Sequence, residues 1–194
     1  MAADNFLYFP SAATGGLLTG KATQPEGEST DDWMSKKKAV EIASFTFGMA
    51  QADTTSSGTT GSSVGKAKFE EFAIEKDVDQ ASAPLFVACT AGAHFPSLML
   101  IIRKAGGSNL LYIQYIFQQV FVTGVNWNGG GGEENLKESI KFKFGALGIQ
   151  YIQQLPNGQE GKKMSASWSV VTNAPTLDVP GGAAPPSYLD GSQS

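Results

Sequence analysis

Residues 138–154 read ESIKFKFGALGIQYIQQ. Ile140, Phe142 and Phe144 alternate with Ser139, Lys141 and Lys143, the period-2 pattern of a strand with one buried face. Leu147, Ile149 and Tyr151 then take the opposite parity. A one-residue shift moves every later side chain to the other face. Gly145 sits at the switch, where a bulge or a barrel corner needs a residue without a β-carbon. This stretch predicts a bent sheet rather than a flat one.

Working outward, residues 110–125, LLYIQYIFQQVFVTGV, are apolar on both parities, which predicts burial of both faces. HFPSLMLIIRK at 94–104 is its hairpin partner across AGGSN. NWNGGGGEEN (126–135) reads as a glycine loop, PNG (156–158) as a turn and MSASWSVV (164–171) as the last strand. Towards the N-terminus, residues 5–9 form a first strand and 10–30 a Pro/Gly-rich loop. In AVEIASFTFG (39–48), Val40 and Ile42 share one parity and Phe45 and Phe47 the other, so a second switch is expected. Residues 66–76 follow strand period. The one good helix is DVDQASAPLFVACTAGA (77–93), with Ser82 as N-cap, Pro84 in the first turn and Gly92 in the left-handed C-terminal position. Leu85, Ala88 and Cys89 share a face of it. Many strands and one short helix make an all-β protein, a barrel or a sandwich.

The chain has 194 residues, enough for one core, and a net charge of −4, which argues against a nucleic-acid surface. Its one cysteine, Cys89, excludes an internal disulfide framework. MAADNFLYFP carries Asp4, lacks a basic start and has four apolar residues in a row, so no secretory signal is read there. The apolar runs LMLII and LFVAC are too short to span a bilayer.

GTTGSSVGKAK (58–68) imitates a phosphate-binding loop and fails its spacing. The first glycine should fall at Thr60, and Ala67 stands where a hydroxyl would hold Mg²⁺. His94 is the only histidine, between helix and strand, and reads as structural or exposed. Cys89 on an apolar helix face is a poor nucleophile. Asp31 and Asp32, Glu133 and Glu134, and Arg103 and Lys104 form no catalytic or metal-binding pattern. No enzyme, cofactor or metal is expected.

Taken in order, GESTDD, VEIASFTFGMAQ, GKAKFEEFAIEKDVDQAS, LFVACTAGAHFPSLMLIIRKAGG and GGGGEENLKESIKFKFGALGIQY resemble the Hcp family, the haemolysin-coregulated proteins of the bacterial type VI secretion system. The resemblance covers about residues 27–153, with a weaker start at DNFLYF. It implies a β-barrel with one helix beside it, forming homohexameric rings that stack into a tube. A spike caps that tube and a contractile sheath fires it. Small effector proteins ride in the lumen, and the subunit itself leaves the bacterial cytoplasm for the medium or a target cell without a signal peptide. Neither nucleic acid nor membrane insertion enters this picture. A carrier ring that need not stack, and the tube protein of another phage-tail-like particle, are the alternatives.

The resemblance also implies site residues. Thr46 matches the small polar residue between two aromatics in the family's W-S-W-G-type stretch, here FTFG, and is expected to face the lumen and touch cargo. The loop after GMAQ (Thr54, Thr55, Ser56, Ser57, Gly58, Thr59, Thr60, Gly61, Ser62, Ser63 and Val64) is expected to contact the next ring. The chain departs from the family at 10–26, which is longer than usual, and at its C-terminus. The expected organisation is an Hcp-like barrel domain at 1–174 and a disordered tail at 175–194, too short and too Pro/Gly/Ala-rich for a toxin domain.

Overall fold

The computed structural model describes residues 3–19, 23–51, 66–104, 110–129 and 136–190. In chain order its elements are β1 (Ala3–Tyr8), α1 (Asp32–Lys36), β2 (Val40–Ile42), β3 (Ser44–Thr46), β4 (Met49–Ala50), β5 (Lys68–Phe69), β6 (Phe72–Asp77), α2 (Ser82–Ala91), β7 (His94–Lys104), β8 (Leu111–Asn128), β9 (Lys137–Lys143), β10 (Ala146–Gln154) and β11 (Glu160–Ser169).

The 18-residue β8 is the spine. One side of it pairs antiparallel with β7. Its other side pairs with two strands in succession, β10 across Ile113–Gln118 and β9 across Phe121–Asn128. The sheet forks between them, at Gln119, which takes a left-handed φ of 51°, and at Gly145, whose N–H donates to the Gln118 carbonyl at 2.8 Å. A β-carbon on Gly145 would stand 2.9 Å from Gln119 Oε1 and 3.3 Å from both Val171 and Val179. The parity switch is therefore a corner between two strands, and glycine is there because the corner is crowded. Residues 126–128, expected in a glycine loop, continue β8 instead, because Lys137–Ser139 supply ladder partners.

The second switch turns a corner too. The strand order is β2-β1-β7-β8-β9-β6-β3, so β2 and β3 lie at opposite ends although only Ala43 separates them. Val40 and Ile42 are buried beside β1, Phe45 is half-buried beside β6, and the Ala43 N–H donates to Glu75 O at 2.8 Å. The hydrogen-bonded ladder is not closed, but the covalent chain joins its two ends.

Two cores result. The inner one gathers Leu7, Ile74, Phe95, Leu100 and Ile140 around stacked rings of Phe72, Phe117 and Phe142, with Leu85 and Ala88 from α2. The second lies on the opposite face of β1, β7 and β8, with Phe6, Met99, Ile101, Leu111 and Ile116. Trp33 and Met34 of α1 cover part of it, and Leu177, Tyr188 and Leu189 pack against it as well. Apolar residues on both parities of β8 are thus buried or half-buried within one chain, with Phe121 and Trp127 left exposed. This two-sided run does not by itself call for a partner subunit.

Three local expectations change. Ser82 does not cap α2: Ala81 holds the N-cap position without a side-chain bond, Asp79 Oδ1 accepts the Ala81 N–H at 2.9 Å, and the Ser82 hydroxyl donates to Glu138. Gly92 ends the helix at φ 62°, as expected. In the 10–26 loop, Gly16 and Leu17 pack on that helix end. Leu17 N–H donates to Ala91 O at 2.8 Å, satisfying a carbonyl the helix cannot. Gly16 approaches so closely that a β-carbon would lie 2.1 Å from the same oxygen. Finally, residues 175–190 differ from the expected disordered tail. Val179 is buried, and Leu177, Tyr188 and Leu189 lie on the second core. Composition argued for disorder because the segment has no core of its own; the body provides one.

Candidate functional site

Strands β3, β6, β9 and the end of β8 turn one face to the inner core and leave the other open. Pairing sets Thr46, Ala73, Lys141 and Gly124 in one row across that open face, and Ser44, Glu75, Ser139 and Asn126 in the next. Phe45, Ile74 and Ile140 alternate with them and pack inward. The sequence dictates this by parity. Thr46 is exposed, while the Phe45 and Phe47 rings are half-buried with centroids 6.1 Å apart, Phe47 meeting Phe72, Tyr115 and Phe117 edge-on. The face is polar and of mixed sign. The Ser44 hydroxyl donates to Glu75, Thr123 to Glu71, and Lys143 lies 3.8 Å from Glu71. It offers small hydroxyls and charges of both signs, and at its end a hollow lined by Glu75, Trp127, Lys137 and Ser139.

The expected ring-contact loop, Thr54–Val64, lies outside the described residues. Its stem does not. β4 and β5 form a separate two-stranded ladder, Met49 opposite Phe69 and Ala50 opposite Lys68, closed by Glu70 N–H donating to Gly48 O at 2.9 Å. Between this stem and β10–β11 runs an apolar hollow lined by Met49, Phe69, Leu147, Ile149 and Trp168.

Two charged clusters were not found in the sequence as sites. Lys76 is fully buried, its ammonium 2.9 Å from Glu138, 2.6 Å from Asp79 and 2.6 Å from the Asp77 carbonyl. The Trp127 indole N–H takes the other Glu138 oxygen at 2.9 Å. Two carboxylates and a carbonyl engage this one ammonium, an arrangement that pins β6, β9 and the start of α2 together. Parity revealed it in principle: Lys76 follows Phe72 and Ile74, and Glu138 precedes Ile140 and Phe142, on inward positions opposite each other. The second cluster is Asp31 with the buried Arg103. Asp31 caps α1, accepting the Trp33 and Met34 N–H groups at 3.1 and 2.9 Å, and both guanidinium Nη atoms reach its carboxylate. Burial pushes the Asp31 carboxyl up, but the Arg103 hydrogen bond and charge with the helix N–H groups outweigh it and hold the group below its ordinary range. The signal for this helix was an Asp before DWMSK.

His94 is half-buried, its ring 5.3 Å from Phe121 and its backbone paired with Thr14. Cys89 is half-buried against the inner core. Among the described residues no three His, Cys, Asp or Glu side chains gather to hold a metal, and no helix is long and apolar enough to cross a membrane.

Comparison with known proteins adds the remaining findings. Residues 18–151 match the family model described as "Type VI secretion system effector, Hcp". Protein hcp1 of Pseudomonas aeruginosa is 31% identical over 110 residues, 56% of this chain and 68% of that protein. A solved structure described as a type six secretion system protein superposes with a TM-score of 0.75 at 31% identity, covering 90% of this chain and 100% of that one. Hcp1 from Salmonella typhimurium superposes with a TM-score of 0.67 at 25% identity, covering 91% and 100%.

Proposed function

Because the chain belongs to the Hcp family of the type VI secretion system, a family of secreted tube proteins and not of enzymes, we propose that it is a subunit of the inner tube. In this reading six copies form a ring, rings stack into a tube, and effector proteins travel in the lumen. The spike caps this tube and the sheath drives it out of the bacterial cytoplasm. The observation that carries the reading is the family match over 18–151, which contains every strand from β2 to β9 and the helix α2.

The open face of β3, β6, β9 and β8 suits a lumen wall. Its rows bear small hydroxyls and balanced charges rather than apolar side chains, so a protein cargo meets a surface that holds it weakly. Thr46 stands in the first of those rows and is our candidate for cargo contact. The loop Thr54–Val64 is our candidate for ring-to-ring contact. Its small Gly, Ser and Thr residues are of a kind that permits close main-chain approach and hydroxyl hydrogen bonding with a docked neighbour.

Electron microscopy of the purified protein tests this reading. Rings and stacked rings support the tube subunit. Rings that hold cargo and never stack favour a carrier instead, and particles without rings would refute both.

A further inference from the structure

The C-terminal segment is held by groups on three adjacent strands, β8, β10 and β11. Gln114 sits in β8 with no solvent exposure. Its side-chain amide makes a two-point bond to the main chain of Leu189: Nε2 donates to the Leu189 carbonyl at 2.8 Å and Oε1 accepts the Leu189 N–H at 2.9 Å. This pairing copies one rung of a β-ladder and is how an extended peptide is usually gripped. Beside it, Gly148 of β10 leaves room for the neighbouring side chains. A β-carbon there would lie 2.6 Å from the Tyr188 hydroxyl and 2.9 Å from Leu177. Lys163 of β11 stands 3.5 Å from Asp190. A buried amide, a glycine slot and a cation thus read three successive residues, Tyr188, Leu189 and Asp190.

The connection is longer than the gap it bridges, although Leu177 and Val179 at its start pack on the body. Leu177 and Tyr188 reach the same glycine although eleven positions separate them, so the chain between them goes out and returns. Its turn is at Pro180–Gly182, with Gly181 at φ 74° and Gly182 N–H donating to Val179 O at 2.9 Å. Extended, those positions would span about 36 Å. That is enough to carry the Tyr188–Asp190 anchor to another molecule without moving the body, the geometry that makes exchange of identical segments between copies cheap.

We propose that the face formed by Gln114, Gly148 and Lys163 is a peptide-binding site for an extended Tyr-Leu-Asp segment, filled in the free chain by residues 188–190 and able to take the same segment from a second copy. The probe is a fluorescent peptide of the sequence of residues 183–190, AAPPSYLD. The host is the full chain with Tyr188→Ser and Leu189→Ser, whose own anchor is weakened. Binding is followed by anisotropy, and folding by circular dichroism.

The host should bind the peptide saturably, and the wild-type chain at least about tenfold more weakly, because its tethered segment competes at high effective concentration. Within the host, Gln114→Glu replaces the donor to the Leu189 carbonyl with a repelling oxygen, and Gly148→Val fills the slot. Each should weaken binding about tenfold or more while the strand spectrum stays unchanged. No saturable binding to a folded host would overturn the proposal, and so would binding that neither substitution alters. The readout needs no ring, so it stands apart from the tube reading.

Discussion

Asp31 shows how one residue couples local structure to the whole sheet. It caps α1 through two backbone N–H groups and holds Arg103 of β7, fixing the small helix over the second core. Its carboxyl is held below the ordinary 3.8 in the folded chain. A depressed carboxylate adds stability that is present above the unfolded pKa and lost as pH falls through the folded one. Asp31→Asn keeps a capping oxygen and loses the charge. It should cost roughly 2 kcal/mol at pH 7, between an exposed and a fully buried pair. Melting curves should show that difference shrinking as pH falls through 3.8, where the unfolded carboxylate is half protonated, and disappearing beneath the folded pKa. A constant difference across that range would mean the charge is not what matters. At Thr46 the expected effect is functional. Thr46→Gln should leave melting and ring mass unchanged, since the side chain is exposed, and reduce the effector recovered by co-purification. Unchanged recovery would remove Thr46 from the cargo wall. Thr46's exposure and the inward aromatics were readable from alternation. Arg103's partner was not, because pairing Asp31 with a residue 72 positions away requires the fold.

At the scale of elements, the strands and α2 were legible because alternation, Gly92 and the turn glycines are local signals. Both parity switches, at 43 and at 145, were visible as switches; that they join different ladders depends on which strands lie alongside. What escaped was α1, five residues long, and the docking of Gly16 and Leu17 and of 175–190. Those segments carry few apolar residues, so no local pattern marks Val179 as buried or Leu177, Tyr188 and Leu189 as half-buried. A chain ending at Ala174 uncovers the second core and removes the main-chain partner of Gln114. With each buried apolar side chain worth about 1.5–3 kcal/mol as an upper bound, a loss of roughly 3 kcal/mol is expected. For a chain of this size that is about 6–12 °C in Tm. An unchanged Tm would mean the segment contributes nothing to the folded state. The hairpin stem carries a separate expectation. Replacing residues 55–62 with a shorter Gly-Ser turn should leave β4–β5 and the ring intact and abolish stacking under the microscope. Tubes that still grow would remove the loop from the ring contact.

At the scale of the whole molecule, the chain covers most of its most apolar strand without help, leaving Phe121 and Trp127 exposed, so the main case for assembly rests elsewhere. The family supplies most of it. The surface is compatible with it: β11 has β10 as its one strand partner among the described residues, leaving an open edge, and Met49 and Met164 are each 61% exposed. Open edges and exposed methionines on a chain of low charge are features that association would cover. The most direct test of the central claim is the mass in solution, measured by light scattering coupled to size exclusion at micromolar concentration. The tube-subunit account predicts about six times the 20.4 kDa of one chain. A single species at the mass of one chain would contradict it.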